Sequence, residues 1–432
     1  MYISQQIAAI AVSQVLSGRN LTLALPDALK SYPSATPQQR GAAADLSYGT
    51  LRFYGEVNAY LVKLLEKPLT NEYITALLLV AIYQLLHDKA DDFTVVNQAV
   101  QAASYAKPRW AKGLVNGVLR NFLRQKDGLS QQVKADTKSN EVTLYSYPQW
   151  WINKLKNQYP ASWQSILTTG NAHPPMTLRV NAQKTSAKEY VQLLARQDIM
   201  ASQVGEYAVI LEQPISVDKI PGFTDGVVSV QDYGAQLAPN LLDVQAGMTV
   251  LDACCAPGGK TGHILELYET KLTALDNDAS RLERVKSNLN RLNLNANLQL
   301  GDAANWQSSQ AFERILADVP CTASGIVRRH VDIKWLRRES DIAFFAAQQA
   351  LILANLWQLL AKGGKLLYVT CSIFNEENQQ QIDAFLLKNH DATQLPLNLT
   401  NVHHQTIHRT HGQLIPNSLH DGLFYALLQK TA

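Results

Sequence analysis

The sequence predicts a multidomain protein with an all-α N-terminal part, a small α+β connecting unit and a C-terminal α/β part. Three observations lead to this prediction. Apolar residues recur at helical spacing through residues 1–125, where no alternating strand pattern is present. From residue 248 onward, short apolar runs alternate with helical segments, which is typical of βαβ units around a parallel sheet. The chain of 432 residues is long enough for two or three domains.

Composition limits the class of protein. The hydrophobic fraction of 46% is ample for packed cores, and the net charge of +3 indicates little about partners. Cys254, Cys255, Cys321 and Cys371 give no disulfide framework in a chain of this length, which favours a reducing compartment. Residues 1–30 lack the pattern of a signal peptide, and the apolar run 73–86 is too short to span a bilayer. We therefore expect a cytoplasmic protein with no membrane partner.

Helical spacing predicts N-terminal helices over residues 1–16, 51–65 and 74–86. The segment from Lys107 to Lys126 then carries six basic residues and no acidic one. A solvated helical face is the usual role of such a run. Charge of one sign over twenty residues repels itself, however, which favours a polyanionic partner.

The middle of the chain predicts a linker followed by a small unit. Residues 126–143 are polar and lack apolar periodicity, so we interpret them as a linker. Trp150 and Trp151 lie in a predicted helix, where core packing is favoured over stacking on bases. A strand over 177–181, further short strands and a helix over 187–197 predict an α+β unit spanning 144–225.

The C-terminal part is organised around one glycine-rich turn. Residues 248–251 form a short apolar strand, Pro257, Gly258 and Gly259 follow, and helical spacing returns from Thr261. In such units a nucleotide-like ligand lies over the helix N-terminus. A phosphate-binding loop of the G-x-x-x-x-G-K-[ST] kind would need glycine where Cys254 stands, and the dinucleotide fingerprint is also missing. The turn alone is weak evidence.

Polar residues follow each of the next predicted strands. Asp276 ends the run 272–275, Asp302 follows 298–300, Asp318 follows 314–317, and Cys371 follows 365–369. Parallel sheets bind ligands at this edge. One aspartate would ordinarily be a turn or helix cap, but three beside two cysteines favour a site. Asp276 is placed to accept from ribose hydroxyls, and Asp302 from an adenine amine or the backbone. A final strand is predicted over 418–428.

These motifs resemble a known family. The strings Asp-x-Cys-x-Ala-Pro-Gly-Gly-Lys-Thr (252–261), Asp-x-Pro-Cys (318–321) and Thr-Cys-Ser (370–372) are similar to those of the RsmB/NOP family of RNA cytosine-5 methyltransferases. The resemblance implies a Rossmann-like class I methyltransferase domain over 226–432 and S-adenosyl-L-methionine as cofactor. It implies cofactor-binding positions at Cys254, Cys255, Ala256, Pro257, Gly258, Gly259, Lys260, Asp276, Asp302 and Asp318.

The N-terminal part resembles a second family. Residues 95–100 and 111–124 are similar to the NusB-type RNA-binding helical domain, which implies that residues 1–130 bind rRNA. Together the two resemblances imply 16S rRNA as partner, free or in early assembly, with cytosine 967 as target. We expect a monomer that does not act on DNA. Alternatives are a tRNA methyltransferase and a non-catalytic NusB-like RNA-binding factor.

Cytosine-5 methylation needs a nucleophilic thiol, because carbon 5 becomes nucleophilic only after a thiolate adds to carbon 6. Spacing does not decide which cysteine attacks. The resemblance to the RNA enzymes implies Cys371, with Cys321 assisting release; the DNA enzymes would use Cys321. Asp318 would hold the cytosine N3 edge, and Lys260 would orient Asp318 or lower a thiol pKa. Without the motif, Lys260 reads as a surface lysine.

Three further patterns are interpreted more briefly. The thiols of Cys254 and Cys255 are expected to behave as small hydrophobes. The histidines at 403, 404, 408 and 411 match no common metal site, so no metal is expected. The basic run from Arg328 to Arg338, including Lys334, is expected to hold phosphates beside the target, and strand 177–181 matches a family motif linked to RNA contact.

Overall fold

The computed structural model describes residues 2–106, 110–137, 140–397, 407–408 and 412–431. The chain divides into two compact units. One consists of residues 1–172 with 327–338, and the other of residues 173–326 with 339–432. The short segment 327–338 therefore belongs to the helical unit although it lies between parts of the α/β unit in sequence.

The helices are α1 (Tyr2–Leu16), α2 (Leu21–Lys30), α3 (Pro37–Arg52), α4 (Tyr54–Leu64), α5 (Glu72–Leu86), α6 (Asp92–Ala102), α7 (Ala111–Thr137), α8 (Glu141–Tyr145), α9 (Gln149–Gln158), α10 (Trp163–Gly170), α11 (Ala187–Ala195), α12 (Ala238–Leu241), α13 (Gly259–Leu267), α14 (Ala279–Leu292), α15 (Ile333–Leu336), α16 (Ser340–Leu359) and α17 (Gln379–Lys388). Short 3-10 turns cover Ala103–Ala106, Val217–Lys219, Gly234–Leu237, Ser324–Ile326 and Asn375–Glu377.

The strands are β1 (Met176–Val180), β2 (Ala201–Gln203), β3 (Ala208–Leu211), β4 (Val228–Val230), β5 (Thr249–Ala253), β6 (Lys271–Asp276), β7 (Asn297–Leu300), β8 (Phe312–Asp318), β9 (Leu360–Thr370), β10 (Ala392–Leu395), β11 (Ile407–His408), β12 (Gln413–Leu414) and β13 (Leu423–Lys430).

The helical unit packs around α5, which is apolar on nearly every side. Asn71 caps this helix by accepting from the Ile74 N–H, and the residues from Ala76 to Leu85 are all buried. A helix that is apolar all round belongs in the centre of a bundle. The predicted all-α N-terminal domain is confirmed.

Segment 327–338 is tied into this unit by a buried lysine. The Lys334 Nζ donates to the Arg52 carbonyl at 2.7 Å and to Asn171 Oδ1 at 2.7 Å, and it lies over the Tyr147 ring. Burial lowers the pKa of Lys334 well below its ordinary value. The expectation that Lys334 holds a phosphate is wrong, because its ammonium is buried; the Arg328 side chain is buried as well.

The linker prediction is wrong for residues 126–137, because α7 continues through them to Thr137. Leu129 and Val133, one turn apart, are buried in the helical core and hold this polar stretch in place. Among the basic residues of the segment 107–126, Lys112, Arg120 and Arg124 are exposed. Lys107 and Arg109 lie outside the described residues.

The small α+β unit is a four-stranded antiparallel sheet in the order β2-β3-β1-β4, with α11 packed on it. Leu178 and Val180 of β1 lie in its core with Tyr190 of α11. The capping box of Ser186 and Glu189 starts α11, since each residue bonds the other's backbone N–H. The connecting unit therefore has the predicted class.

The larger sheet has the order β11-β12-β13-β9-β8-β5-β6-β7, and β10 pairs with β13. Strands β9, β8, β5, β6 and β7 run parallel, and the last strand, β13, runs antiparallel to β9. The carboxyl ends of the five parallel strands share one edge, where β5, β6 and β8 place Asp252, Asp276 and Asp318. The predicted fold class is confirmed.

Helix α16 is long and apolar enough to cross a membrane by length and composition alone. A buried core helix meets the same criterion. One side of α16 packs in the apolar core against the sheet, through Leu353, Leu356 and Trp357. Burial in this core accounts for the apolar residues on that side of the helix.

Candidate active site

A tight turn joins β5 to α13 and requires a glycine at its end. Gly258 has a φ of +92°, and a Cβ there would approach Val285 Cγ1 to 3.1 Å. The turn is held by the Gly258 N–H, which donates to the Cys255 carbonyl at 2.8 Å. Cys254 also has a positive φ of 60°, a conformation that is uncommon without glycine and often found at functional turns.

A cavity of about 380 Å³ opens at the carboxyl edge of the parallel strands. Its volume lies in the range of small-molecule sites. Seven of the predicted site residues line this cavity: Cys254, Ala256, Asp276, Asp302, Asp318, Cys321 and Cys371.

The remaining predicted residues lie around the cavity without lining it. The Cys255 side chain is buried in the apolar core with Ile264 and Val285. Pro257, Gly258 and Gly259 contribute the backbone of the turn. Lys260 is connected to the cavity through Asp318.

Asp276 is fixed at the end of β6. Its Oδ2 accepts from the Ala256 N–H at 3.1 Å, its Oδ1 accepts from the Asp278 N–H at 3.2 Å, and Arg281 Nη1 lies 3.5 Å from Oδ1. Asp302, beyond β7, accepts from the Ala304 N–H at 3.0 Å. Two carboxylates at the ends of neighbouring strands thus lie at one cavity. Such groups can accept hydrogen bonds from the ribose hydroxyls and the adenine amine of an adenosine moiety.

Lys260 and Asp318 form an ion pair, with Lys260 Nζ 2.6 Å from Asp318 Oδ2. Burial alone would lower the pKa of Lys260, but the Asp318 carboxylate outweighs burial and raises it overall. The Lys260 side chain therefore stays charged, and it is largely buried rather than a free surface lysine.

Cys321 and Cys371 come from adjacent loops, and their sulfur atoms lie 3.3 Å apart. Their strands pair in parallel, with Asp318 of β8 opposite Val369 of β9, so the loops leave the sheet side by side. The Gly325 N–H donates to the Cys371 carbonyl at 2.8 Å and joins the loops further. The hydrogen bond with Cys371, together with burial, raises the pKa of Cys321 well above its ordinary value.

Glu377 links the two cysteine loops by accepting hydrogen bonds from the residue that follows each cysteine. It was not predicted as a site residue. It accepts from the Thr322 N–H at 2.8 Å, the Thr322 hydroxyl at 2.5 Å, the Ser372 hydroxyl at 2.5 Å and Gln349 Nε2 at 3.2 Å. Burial raises the pKa of Glu377, and these donors oppose that rise. The only sequence signal was an acidic pair five and six residues after Cys371.

Asp252 is a second residue that the sequence did not single out. It is fully buried at the end of β5, and its Oδ2 accepts from the Thr261 hydroxyl at 2.6 Å. Its Oδ1 has no hydrogen-bond partner among the described residues. Burial raises the pKa of Asp252 to about 7.

Metal binding receives no support from the described residues, where no group of three potential ligands is close enough to hold an ion. His403, His404 and His411 lie outside the described residues, as does the side chain of His408.

Comparisons with known proteins agree along the whole chain. Residues 239–429 match the family model described as 16S rRNA methyltransferase RsmB/F, residues 147–218 match its ferredoxin-like domain, and residues 3–124 match the NusB family. The ribosomal RNA small subunit methyltransferase B of Serratia proteamaculans is 42% identical over 400 residues, covering 90% of this chain and 91% of that protein. The protein of the same name from Proteus mirabilis is 40% identical and covers 99% of each chain.

A solved structure named PH0851 superposes with a TM-score of 0.81 at 23% identity, covering 100% of this chain and 99% of that one, and thus shares the fold. The match with the Proteus mirabilis protein, which covers 99% of this chain, extends through both units. The chain therefore belongs to the RsmB/F family of 16S rRNA methyltransferases, enzymes that use S-adenosyl-L-methionine.

Proposed function

We propose that this protein methylates carbon 5 of cytosine 967 in 16S rRNA through a covalent adduct between Cys371 and carbon 6 of the base. The observation that carries the proposal is the pair of sulfur atoms 3.3 Å apart, in the same cavity as Asp276 and Asp302. One cavity thus offers groups for an adenosine moiety and two thiols for pyrimidine chemistry.

The two cysteines suit different steps. Cys371 adds as a thiolate to carbon 6, and the enamine that results makes carbon 5 nucleophilic. Its hydrogen bond to Cys371 and its burial raise the pKa of Cys321, so the Cys321 thiol is suited to stay protonated beside the nucleophile. Once carbon 5 carries the methyl group, its proton passes to water and the C5–H electron pair restores the ring double bond as Cys371 leaves as a thiolate. The Cys321 thiol assists this release by hydrogen-bonding the departing sulfur from 3.3 Å away.

The charged residues hold the two reactants. S-adenosyl-L-methionine supplies an electrophilic methyl group. Asp276 would bind its ribose hydroxyls and Asp302 its adenine amine. Asp318 would hydrogen-bond the N3 edge of the cytosine, and Lys260, 2.6 Å from Asp318, would fix the orientation of that carboxylate and favour negative charge nearby.

We place the reaction in the cytoplasm, on 16S rRNA that is free or in early assembly, with the protein acting as a monomer and not on DNA. An unpaired cytosine is the cheaper substrate, since extruding a paired base costs about a few kcal/mol. The exposed Lys112, Arg120 and Arg124 of α7 offer positive charge on the NusB-like unit for the phosphate backbone.

The test is to map 5-methylcytosine by bisulfite sequencing in rRNA from a strain that lacks the gene. Complementation with the wild-type chain should restore methylation at cytosine 967, and the Cys371→Ala chain should not. When purified 16S rRNA and purified tRNA are offered separately with labelled cofactor, the label should be transferred to the 16S rRNA and not to the tRNA. Methylation of tRNA alone would replace the proposed substrate, and absence of cofactor binding would favour a non-catalytic RNA-binding factor.

A further inference from the structure

Arg179 lies on the connecting sheet, yet its guanidinium is buried against the methyltransferase helix α13. It is 1% exposed, in the middle of β1. Its neighbours Leu178 and Val180 point into the core of the small sheet, so Arg179 faces the other way. The family motif that suggested RNA contact therefore places its arginine where no phosphate can reach it.

Four hydrogen bonds use the full width of the guanidinium. Nε and Nη2 donate to the two carboxylate oxygens of Glu266, at 2.9 and 2.7 Å. Nη1 donates to Gln231 Oε1 at 2.7 Å and to the Gly259 carbonyl at 2.5 Å. A planar fork of donors can make this set of bonds, and a lysine ammonium cannot.

The bond to Gly259 is the informative one, because Gly259 is the first residue of α13 and directly follows Gly258, the last residue of the glycine turn. The next residue, Lys260, carries the ammonium paired with Asp318. A second tie holds the other end of the helix, where Gln183 Nε2 donates to the Leu265 carbonyl at 2.9 Å. Arg179 of β1 and Gln183 in the turn after β1 thus fix α13 at both ends.

Gly262, which has no side chain, leaves room for the Arg179 guanidinium to approach α13. A Cβ at Gly262 would lie 3.4 Å from Arg179 Nη2 and 2.8 Å from Leu292 Cδ1. The Glu266 carboxylate is also buried, and taking such a pair out of water is costly, so the pair is weak evidence for stability by itself. Specific placement of the helix is the better explanation of its geometry.

We propose that Arg179 is a positioning residue for the cofactor: it sets the N-terminus of α13, and with it the glycine turn and Lys260, so that the connecting sheet governs affinity for S-adenosyl-L-methionine rather than for RNA. The inference needs only the cofactor use of the family and not the covalent mechanism. Its test therefore measures binding, separately from turnover.

The experiment compares Arg179→Met and Arg179→Lys in the full chain with Arg196→Met and Arg196→Lys, an exposed arginine just after α11. Calorimetry gives the Kd for S-adenosyl-L-methionine, filter binding without cofactor gives the Kd for a 16S rRNA transcript, and thermal unfolding gives Tm. Arg179→Met should raise the cofactor Kd about tenfold or more, as expected for lost hydrogen bonds to a charged group. The RNA Kd should stay within about twofold. Both Arg196 variants should leave the cofactor Kd unchanged.

Three results would overturn the proposal. A higher Kd for RNA in Arg179→Met, with an unchanged Kd for the cofactor, would make Arg179 an RNA contact. A lower Tm with an unchanged cofactor Kd would make it structural only. A parallel rise in both Kd values would deny any specific coupling to the cofactor. If Arg179→Met does not fold, the Arg179→Lys variant decides the question. It keeps the positive charge, but a lysine ammonium cannot donate to Glu266 and to Gly259 at the same time. A folded Arg179→Lys with the wild-type Kd for the cofactor contradicts the proposal.

Discussion

The sulfur atoms of Cys321 and Cys371 lie 3.3 Å apart at the ends of adjacent parallel strands. Two thiols at that distance can share one proton, and the cavity beside them carries carboxylates on neighbouring strand ends. This relationship underlies the predictions below, because the proposed chemistry asks one sulfur to bond carbon 6 while the other assists its departure.

Cys321→Ala should stall the reaction after methyl transfer, because the group that assists release is gone. A protein–RNA adduct should then accumulate and migrate as a slow band on denaturing gels. Cys255→Ala is the matched control, since Cys255 is a buried thiol of the same unit outside the cavity. Normal turnover by Cys321→Ala without an adduct would remove Cys321 from the mechanism.

Lys260→Met should lower kcat by about ten- to a hundredfold, the cost of a lost hydrogen bond between charged groups. The reason is that Asp318 loses the ammonium 2.6 Å from its Oδ2 and is no longer fixed toward the base. Steady-state kinetics against rRNA measures the change. Lys271→Met, at the exposed first residue of β6, is the control and should leave kcat unchanged; equal effects of the two substitutions would contradict a specific role for Lys260.

Glu377→Gln should lower kcat while leaving the Kd for S-adenosyl-L-methionine unchanged. The amide places a donor against the hydroxyls of Thr322 and Ser372, so the two cysteine loops lose their common acceptor. We expect the free energy of unfolding to fall by about 1–3 kcal/mol, measured by denaturant titration. Glu283→Gln, on the exposed side of α14, should change neither quantity. Wild-type kcat in Glu377→Gln would show that the loops keep their geometry without it.

Asp252 should make stability fall as the pH rises from about 4 to about 7. Burial raises its pKa from 3.8 to about 7, so in this window the folded state binds the proton and the unfolded chain does not. The free energy of unfolding of the wild type, minus that of Asp252→Asn, should therefore be smaller at pH 8 than at pH 5. Other buried acids such as Glu266 cancel in this difference. A difference that is constant or grows with pH would contradict the assignment.

The parallel sheet was predictable because each strand is a short apolar run followed at once by a polar residue. Asp276, Asp302, Asp318 and Cys371 could be placed on one edge by that rule alone, and the structure gathers all four around one cavity. The last strand, β13, was also predictable from its apolar run.

Side-chain burial was what the sequence could not supply. Arg179 and Lys334 are cations in motifs, and nothing in their neighbours in sequence indicates that packing removes them from solvent. The polar second half of α7 was missed because only Leu129 and Val133 anchor it, a spacing too sparse to predict a helix. Glu377 acts through Thr322 and Gln349, which are distant in sequence, so its connections appear only in three dimensions.

The most direct measurement of the central claim uses a 16S rRNA transcript containing 5-fluorocytosine, in which fluorine at carbon 5 prevents elimination and traps the covalent complex. Digestion and mass spectrometry then identify the cysteine bonded to carbon 6. The account predicts the adduct on Cys371 in the wild-type protein, and none in Cys371→Ala although that variant still binds the cofactor. An adduct on Cys321, or one that survives Cys371→Ala, would contradict it.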